Sequence, residues 1–127
     1  IRDVLGSRGL GDVYKRQEQD QMIRDAKQFI LEHIQETIYV EAIANQVHLN
    51  EQYLMRLFKK ETGMTILEYI TNERVTMAAE LLVETNFPIV TVADSVGYGN
   101  YSYFTKIFKR YMGDNPKTYR QKHKTAE

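Results

Sequence analysis

The sequence predicts an all-α fold of about seven helices, arranged as two helix-turn-helix subdomains joined by a long linker helix. Three observations carry it. The first is a repeat: NEQYLMRLFKKETG, beginning at Asn50, lies over NYSYFTKIFKRYMG, beginning at Asn100, and self-similarity at one offset marks a supersecondary unit used twice. The second is the 3.6-residue apolar period in both copies. The third is punctuation: an asparagine opens each copy and a glycine closes it, as helix caps prefer.

Residues 1–17, IRDVLGSRGLGDVYKRQ, contain Gly6, Gly9 and Gly11 and no helical or strand period. They read as a non-native scar or a flexible linker and are set outside the fold. The first subdomain is expected over residues 18–64, the linker helix over 65–85 and the second subdomain over 86–127. IRDAKQFILEHI, residues 23–34, puts Ile23, Ala26, Ile30 and Ile34 on one stripe of an amphipathic helix. AIANQV at 42–47 pairs with VADSV at 92–96, and each leads through a tight turn into a longer helix. That turn passes through His48 and Leu49 in the first copy, and through Gly97, Tyr98 and Gly99 in the second.

In the longer helix of the first copy, Tyr53, Leu54, Leu57 and Phe58 should face the core, and Gln52, Met55, Arg56 and Lys59 the solvent. In the second, Tyr103, Phe104, Ile107 and Phe108 face in, and Ser102, Thr105, Lys106 and Lys109 face out. Asn50 and Asn100 are the expected N-caps, and Gly63 and Gly113 the stops. TILEYITNERVTMAAELLVET reads as one long helix, with Thr65 as N-cap and an apolar stripe of Ile66, Ile70, Met77, Ala78, Leu81 and Leu82. Pro88 disfavours helix at the residue before it, and Pro116 opens a short last helix. Ile30, Leu54, Leu57, Phe58, Ile70, Leu81, Leu82, Ala93, Phe104, Ile107 and Phe108 make up the expected core. Tyr53, Tyr69, Tyr103 and Tyr119 read as packing residues, and Arg74 as half of a structural ion pair with Asp94.

Composition narrows the function. The chain has no cysteine, so disulfides and thiolate metal sites are excluded. Its three histidines, His33, His48 and His123, lack metal-ligand spacing, and no cofactor is expected. No apolar run approaches the ~18 residues of a membrane span. Net charge is zero, yet it is unevenly placed: residues 18–97 carry six Lys/Arg against thirteen Asp/Glu, and residues 98–127 carry seven against two. No nucleophile–base set, phosphate loop or paired carboxylates point to an enzyme. One function class this leaves is a helical protein-interaction module without DNA binding. Such a groove would show apolar anchors at i, i+4 and i+7, and only Met55 and Tyr101 qualify.

YLMRLFKKETG, NERVTMAAELL, IVTVADSVGY and SYFTKIFKRYMGDNPKTYR, in this order across residues 23–122, resemble the AraC/XylS-type transcription regulators. The first helix and the YFTKIF run look like the subgroup fused to a response-regulator receiver domain. The resemblance implies sequence-specific binding of double-stranded DNA in a bacterial cytoplasm, at the nucleoid. It implies a sensor or receiver domain N-terminal to this chain, and RNA polymerase as a candidate partner. The base-reading positions it implies are Gln52, Met55 and Arg56 in the first recognition helix, and Tyr101, Ser102, Thr105 and Lys106 in the second. Asn50, Lys59, Lys60, Asn100, Lys109 and Arg110 would meet phosphates, which position without specifying. The family's usual strong positive charge is missing, and Asn50 stands where many members carry a serine cap.

The long helix serves as a ruler: about 21 residues at ~1.5 Å each span ~31 Å, close to the ~34 Å of one DNA turn. Four residues inserted near Thr76 would lengthen it by ~6 Å and rotate the second subdomain by ~40°. Specific DNA binding should then fall sharply in a gel-shift titration while helix content by circular dichroism holds. An insertion variant that binds its operator as tightly as the parent would show that the two units do not read DNA together.

Overall fold

The computed structural model describes residues 2–124, with side chains from residue 11 onward. Seven helices and no strand are present among the described residues: α1 (Arg2–Glu32), α2 (Val40–Val47), α3 (Glu51–Thr62), α4 (Ile66–Glu84), α5 (Ile89–Ser95), α6 (Tyr101–Met112) and α7 (Pro116–His123). They form two compact units. One is built on α1, α2 and α3; the other takes residues 33–38 and the chain from Leu67 through α7.

The first unit buries Ile23, Ala26 and Ile30 of α1 against Ile43, Ala44 and Val47 of α2 and Leu54, Leu57 and Phe58 of α3. This is the stripe expected of the first helix, but α1 begins far earlier than residue 23. It runs through residues 2–17, which the sequence sets outside the fold. Residues 11–18 are all exposed, and no apolar period marks them. Once a helix is nucleated, each added residue gains a hydrogen bond at little further cost, so a helix can extend past its packed region. At the other end α1 stops at Glu32. Ile34, expected in its last turn, is buried beyond the helix in the segment that joins the second unit.

The second unit is centred on Val75, Ala78, Ala79 and Leu82 of α4, Val92, Ala93 and Val96 at α5, and Phe104, Ile107 and Phe108 of α6. The long helix is therefore part of this core as well as a connection. Its buried stripe is 75, 78, 79, 82, which is i, i+3, i+4, i+7. Of the stripe expected from sequence, Met77 and Leu81 are only partly buried, and Val75 and Ala79 take the deeper places. Leu81 is the one expected core residue that is not fully buried. An apolar run on several sides of a helix leaves the phase open, and the small Ala78 and Ala79 allow the closest approach. α7 returns to the end of α4: Arg120 Nε donates to the Leu82 carbonyl at 2.9 Å and Lys124 Nζ to that of Thr85 at 2.7 Å, supplying donors to orphan C-terminal carbonyls.

Phe108 sits at the centre of an aromatic row, 5.8 Å from Phe104 and edge-on to Tyr119 at 5.3 Å between centroids. Phe108→Ala should cost about 3–5 kcal/mol in denaturant unfolding, the range for a fully buried phenylalanine. Tyr111→Ala, on the exposed side of the same helix, should stay within about 0.5 kcal/mol. Equal effects from the two would contradict the helix phase.

Candidate nucleic-acid interface

α3 and α6 are each twelve residues long and are closed in the same way. Asn50 Oδ1 accepts from the Tyr53 N–H at 2.7 Å, and Asn100 Oδ1 from the Tyr103 N–H at 2.9 Å. At the far ends Gly63 (φ 78°) and Gly113 (φ 87°) adopt the left-handed conformation, their N–H groups bonding the carbonyls of Lys59 and Lys109. The preceding turns differ. In the first unit His48 takes φ 59° without being glycine; in the second Gly97 takes φ 97°.

With both ends fixed and Leu54, Leu57, Phe58 and Phe104, Ile107, Phe108 buried, the opposite faces are exposed as the period requires. Gln52, Met55 (43% exposed), Arg56, Lys59 and Lys60 share the open side of α3. Tyr101 (42% exposed), Ser102, Lys106, Lys109 and Arg110 share that of α6, with Thr105 half-buried among them. The Thr105 hydroxyl lies within bonding distance of the Tyr101 and Ser102 carbonyls, at 3.0 and 2.9 Å, so its methyl and its lone pairs are what it offers outward. Asn50 and Asn100 have committed their oxygens to the caps, which leaves their amide N–H groups as donors. Lys59, Lys60, Lys109 and Arg110 occupy last turns, where the helix dipole favours cations.

Three placements depart from the sequence expectation. Tyr103, expected to face in, is 53% exposed, its ring tilted over Tyr98 at 5.9 Å. It stands in the first turn of α6, at the edge of the core. Arg74 does not pair with Asp94. Its Nε donates to the Ile34 carbonyl at 3.2 Å, its Nη2 to that of Glu36 at 2.6 Å, and its guanidinium lies 5.5 Å from the centre of the Tyr98 ring. Tyr98 itself, absent from the expected core, is buried; burial pushes its phenol above the ordinary value, with Arg74 pulling the other way. In the first unit Gln19 Nε2 donates to the Tyr53 hydroxyl at 3.2 Å, and Gln19, Tyr53, Arg56, Leu57 and Lys60 line an open cleft of about 170 Å³. Gln19 carries no signal in sequence, because its role depends on where α1 lies. No group of three metal-ligating side chains occurs among the described residues.

A helix-turn-helix domain family matches residues 43–122, both repeat copies included. The arabinose operon regulatory protein of Salmonella typhimurium is 32% identical over 102 residues, 80% of this chain and 36% of the regulator. The chain belongs to the AraC/XylS-type family. Among solved structures, the C-terminal domain of AraT, a response regulator from Geobacillus stearothermophilus, matches with TM-score 0.79 at 34% identity, covering 84% of this chain and 88% of that one. The DNA-binding domain of the global transcriptional factor AdpA, solved with a target DNA, matches with TM-score 0.75 at 26% identity over 79% and 90% of the two chains. The chain thus spans about a third of the arabinose regulator's length. In this family member, the asparagine caps fix where each exposed helix begins.

Asn50→Ala and Asn100→Ala should each cost about 0.5–2 kcal/mol of stability in chemical denaturation, and the serine variants much less, since serine caps nearly as well. Alanine variants as stable as the parent would show that the caps contribute nothing.

Proposed function

We propose that this chain is the DNA-binding part of a transcription regulator, with α3 and α6 entering successive major-groove segments of one double-stranded site. The observation that carries this reading is the repeated exposed face: on two capped helices of equal length, polar and cationic side chains lie opposite a fully buried apolar face. Gln52 and Arg56 carry the side chains suited to adenine and to guanine O6/N7, and Lys106 can donate to the same guanine acceptors as a point charge. Met55, Tyr101 and the Thr105 methyl suit thymine methyls, and Ser102 suits either partner. Lys59, Lys60, Lys109, Arg110 and the amides of Asn50 and Asn100 are assigned to phosphates.

The relatives support the setting. In the arabinose regulator the matching region is about a third of the protein, and AraT is a response regulator whose C-terminal domain resembles this chain. The corresponding proposal is a regulator with a sensor or receiver domain N-terminal to these residues, working in the bacterial cytoplasm and at the nucleoid, with RNA polymerase as a partner. No helix among the described residues is long and apolar enough to cross a membrane.

Binding-site selection with single variants beside the parent tests the assignments. Arg56→Ala should relax preference at one base pair by about 1–3 kcal/mol, and Lys106→Ala by less. Lys59→Ala should weaken all sequences alike and lower the salt slope by about one unit. A uniform loss from Arg56→Ala with an unchanged motif would make Arg56 a backbone clamp. Failure of the parent to select any motif would overturn the function.

A further inference from the structure

Residues 33–38 form a strap that the chain lays down directly after α1 and that belongs to the second unit. Arg74 on α4 holds this strap by backbone alone, through the carbonyls of Ile34 and Glu36 at 3.2 and 2.6 Å. Gly97 closes against the same place: a Cβ built there would lie 2.5 Å from the Ile34 oxygen and 3.0 Å from the Arg74 guanidinium carbon. Arg74 also lies 5.5 Å from the centre of the Tyr98 ring, and that ring meets Tyr103 at 5.9 Å and Phe104 at 5.7 Å. Strap, Arg74, Tyr98 and the first turn of α6 are therefore one continuous run of contacts.

We infer that Arg74, by clamping the strap and backing Tyr98, is a positioning residue that sets the angle at which α6 presents Tyr101, Ser102, Thr105 and Lys106 to DNA. The inference rests on the DNA-reading function proposed above. It makes the strap part of the second reading unit, although the strap lies upstream of the family match at residues 43–122. The chemistry calls for a guanidinium. Its planar fork reaches two carbonyls while its central carbon stays over an aromatic ring, a spread of contacts that the compact ammonium of lysine does not reproduce. Because the strap offers Arg74 only carbonyls, the clamp itself places no demand on the strap's side chains, although Ile34 is buried in the core. Glu36, whose carboxylate faces His33 Nδ1 at 2.8 Å, contributes to the clamp only through its backbone.

Three variants of the full chain test this: Arg74→Lys, which keeps the charge; Gly97→Ala, which keeps Arg74 but crowds both the Ile34 carbonyl and the guanidinium it meets; and Glu36→Ala as control. Each is put through binding-site selection, with the base pairs read by α3 and α6 assigned from Arg56→Ala and Lys106→Ala. Arg74→Lys and Gly97→Ala should each lower preference at the α6 positions by about tenfold, roughly the worth of one base contact. The α3 positions should be unchanged, and Glu36→Ala should match the parent. An unchanged motif in Arg74→Lys, or a uniform loss at both sets of positions, would overturn the inference; so would amide exchange quickened throughout the second unit, the mark of mere destabilisation. Amide hydrogen exchange supplies an arm that needs no DNA. The amides of Tyr103 and Phe104, which donate to Asn100, should exchange faster in Arg74→Lys with α3 and the rest of the second unit unaffected, and equal exchange there would overturn the clamp. A parent that selects no motif sinks the DNA-reading function, and the exchange arm still decides whether Arg74 orders α6.

Discussion

Burial of one face of α3 and of α6 is the constraint on which the rest depends. Leu54, Leu57 and Phe58 in one unit, and Phe104, Ile107 and Phe108 in the other, are almost wholly withdrawn from water. Each fully buried side chain of this size is worth about 1.5–3 kcal/mol. Turning either helix by a quarter would expose those residues and drive Arg56 or Lys106 inward, where an unpaired charge costs far more than the apolar gain. Rotation is therefore fixed by the core, and with it the identity of the residues that face outward. The surface that meets a partner is chosen by what lies beneath it.

Fixing rotation still leaves the ends of the helix and its approach angle. Asparagine and glycine fix the ends in both copies, but the turns before them are solved differently. The first unit places His48, an exposed residue, in the left-handed region, which histidine enters more readily than most non-glycine residues. The second needs glycine on two grounds: φ is 97°, and the Ile34 carbonyl fills the space where a Cβ would stand. The strap thus accounts for the chief break in the internal repeat.

The repeat, the caps and ten of the eleven core positions were legible in the sequence because each rests on local spacing or on an end residue with one clear use. What was not legible depended on contacts that leave no side-chain signature. Arg74 binds backbone carbonyls 40 and 38 residues away, and any residue supplies a carbonyl, so sequence alone points to a carboxylate such as Asp94. Tyr103 fits the inward period but sits in the first turn, where the core has already ended. The helix through residues 2–17 is propagation out of a packed segment, which periodicity cannot register. Val75 and Ala79 displaced Met77 and Leu81 because the run around them is apolar on several sides. In the candidate interface, every residue assigned to bases lies on an exposed or half-exposed face, while Gln19 beside Arg56 was beyond reach of any sequence pattern.

Charge obeys the same division. The zero sum conceals cations gathered on the last turns of α3 and α6, while many of the carboxylates lie on other helices. The most direct measurement is an NMR titration of the chain with its selected duplex, tracking methyl and aromatic signals. The expected result is that the Met55 and Thr105 methyls and the Tyr101 ring shift strongly with bound DNA, while Leu54, Leu57 and Phe108 barely move. Shifts confined to α5 and α7, with Met55, Tyr101 and Thr105 unperturbed at saturation, would contradict the assignment of α3 and α6 as the reading helices.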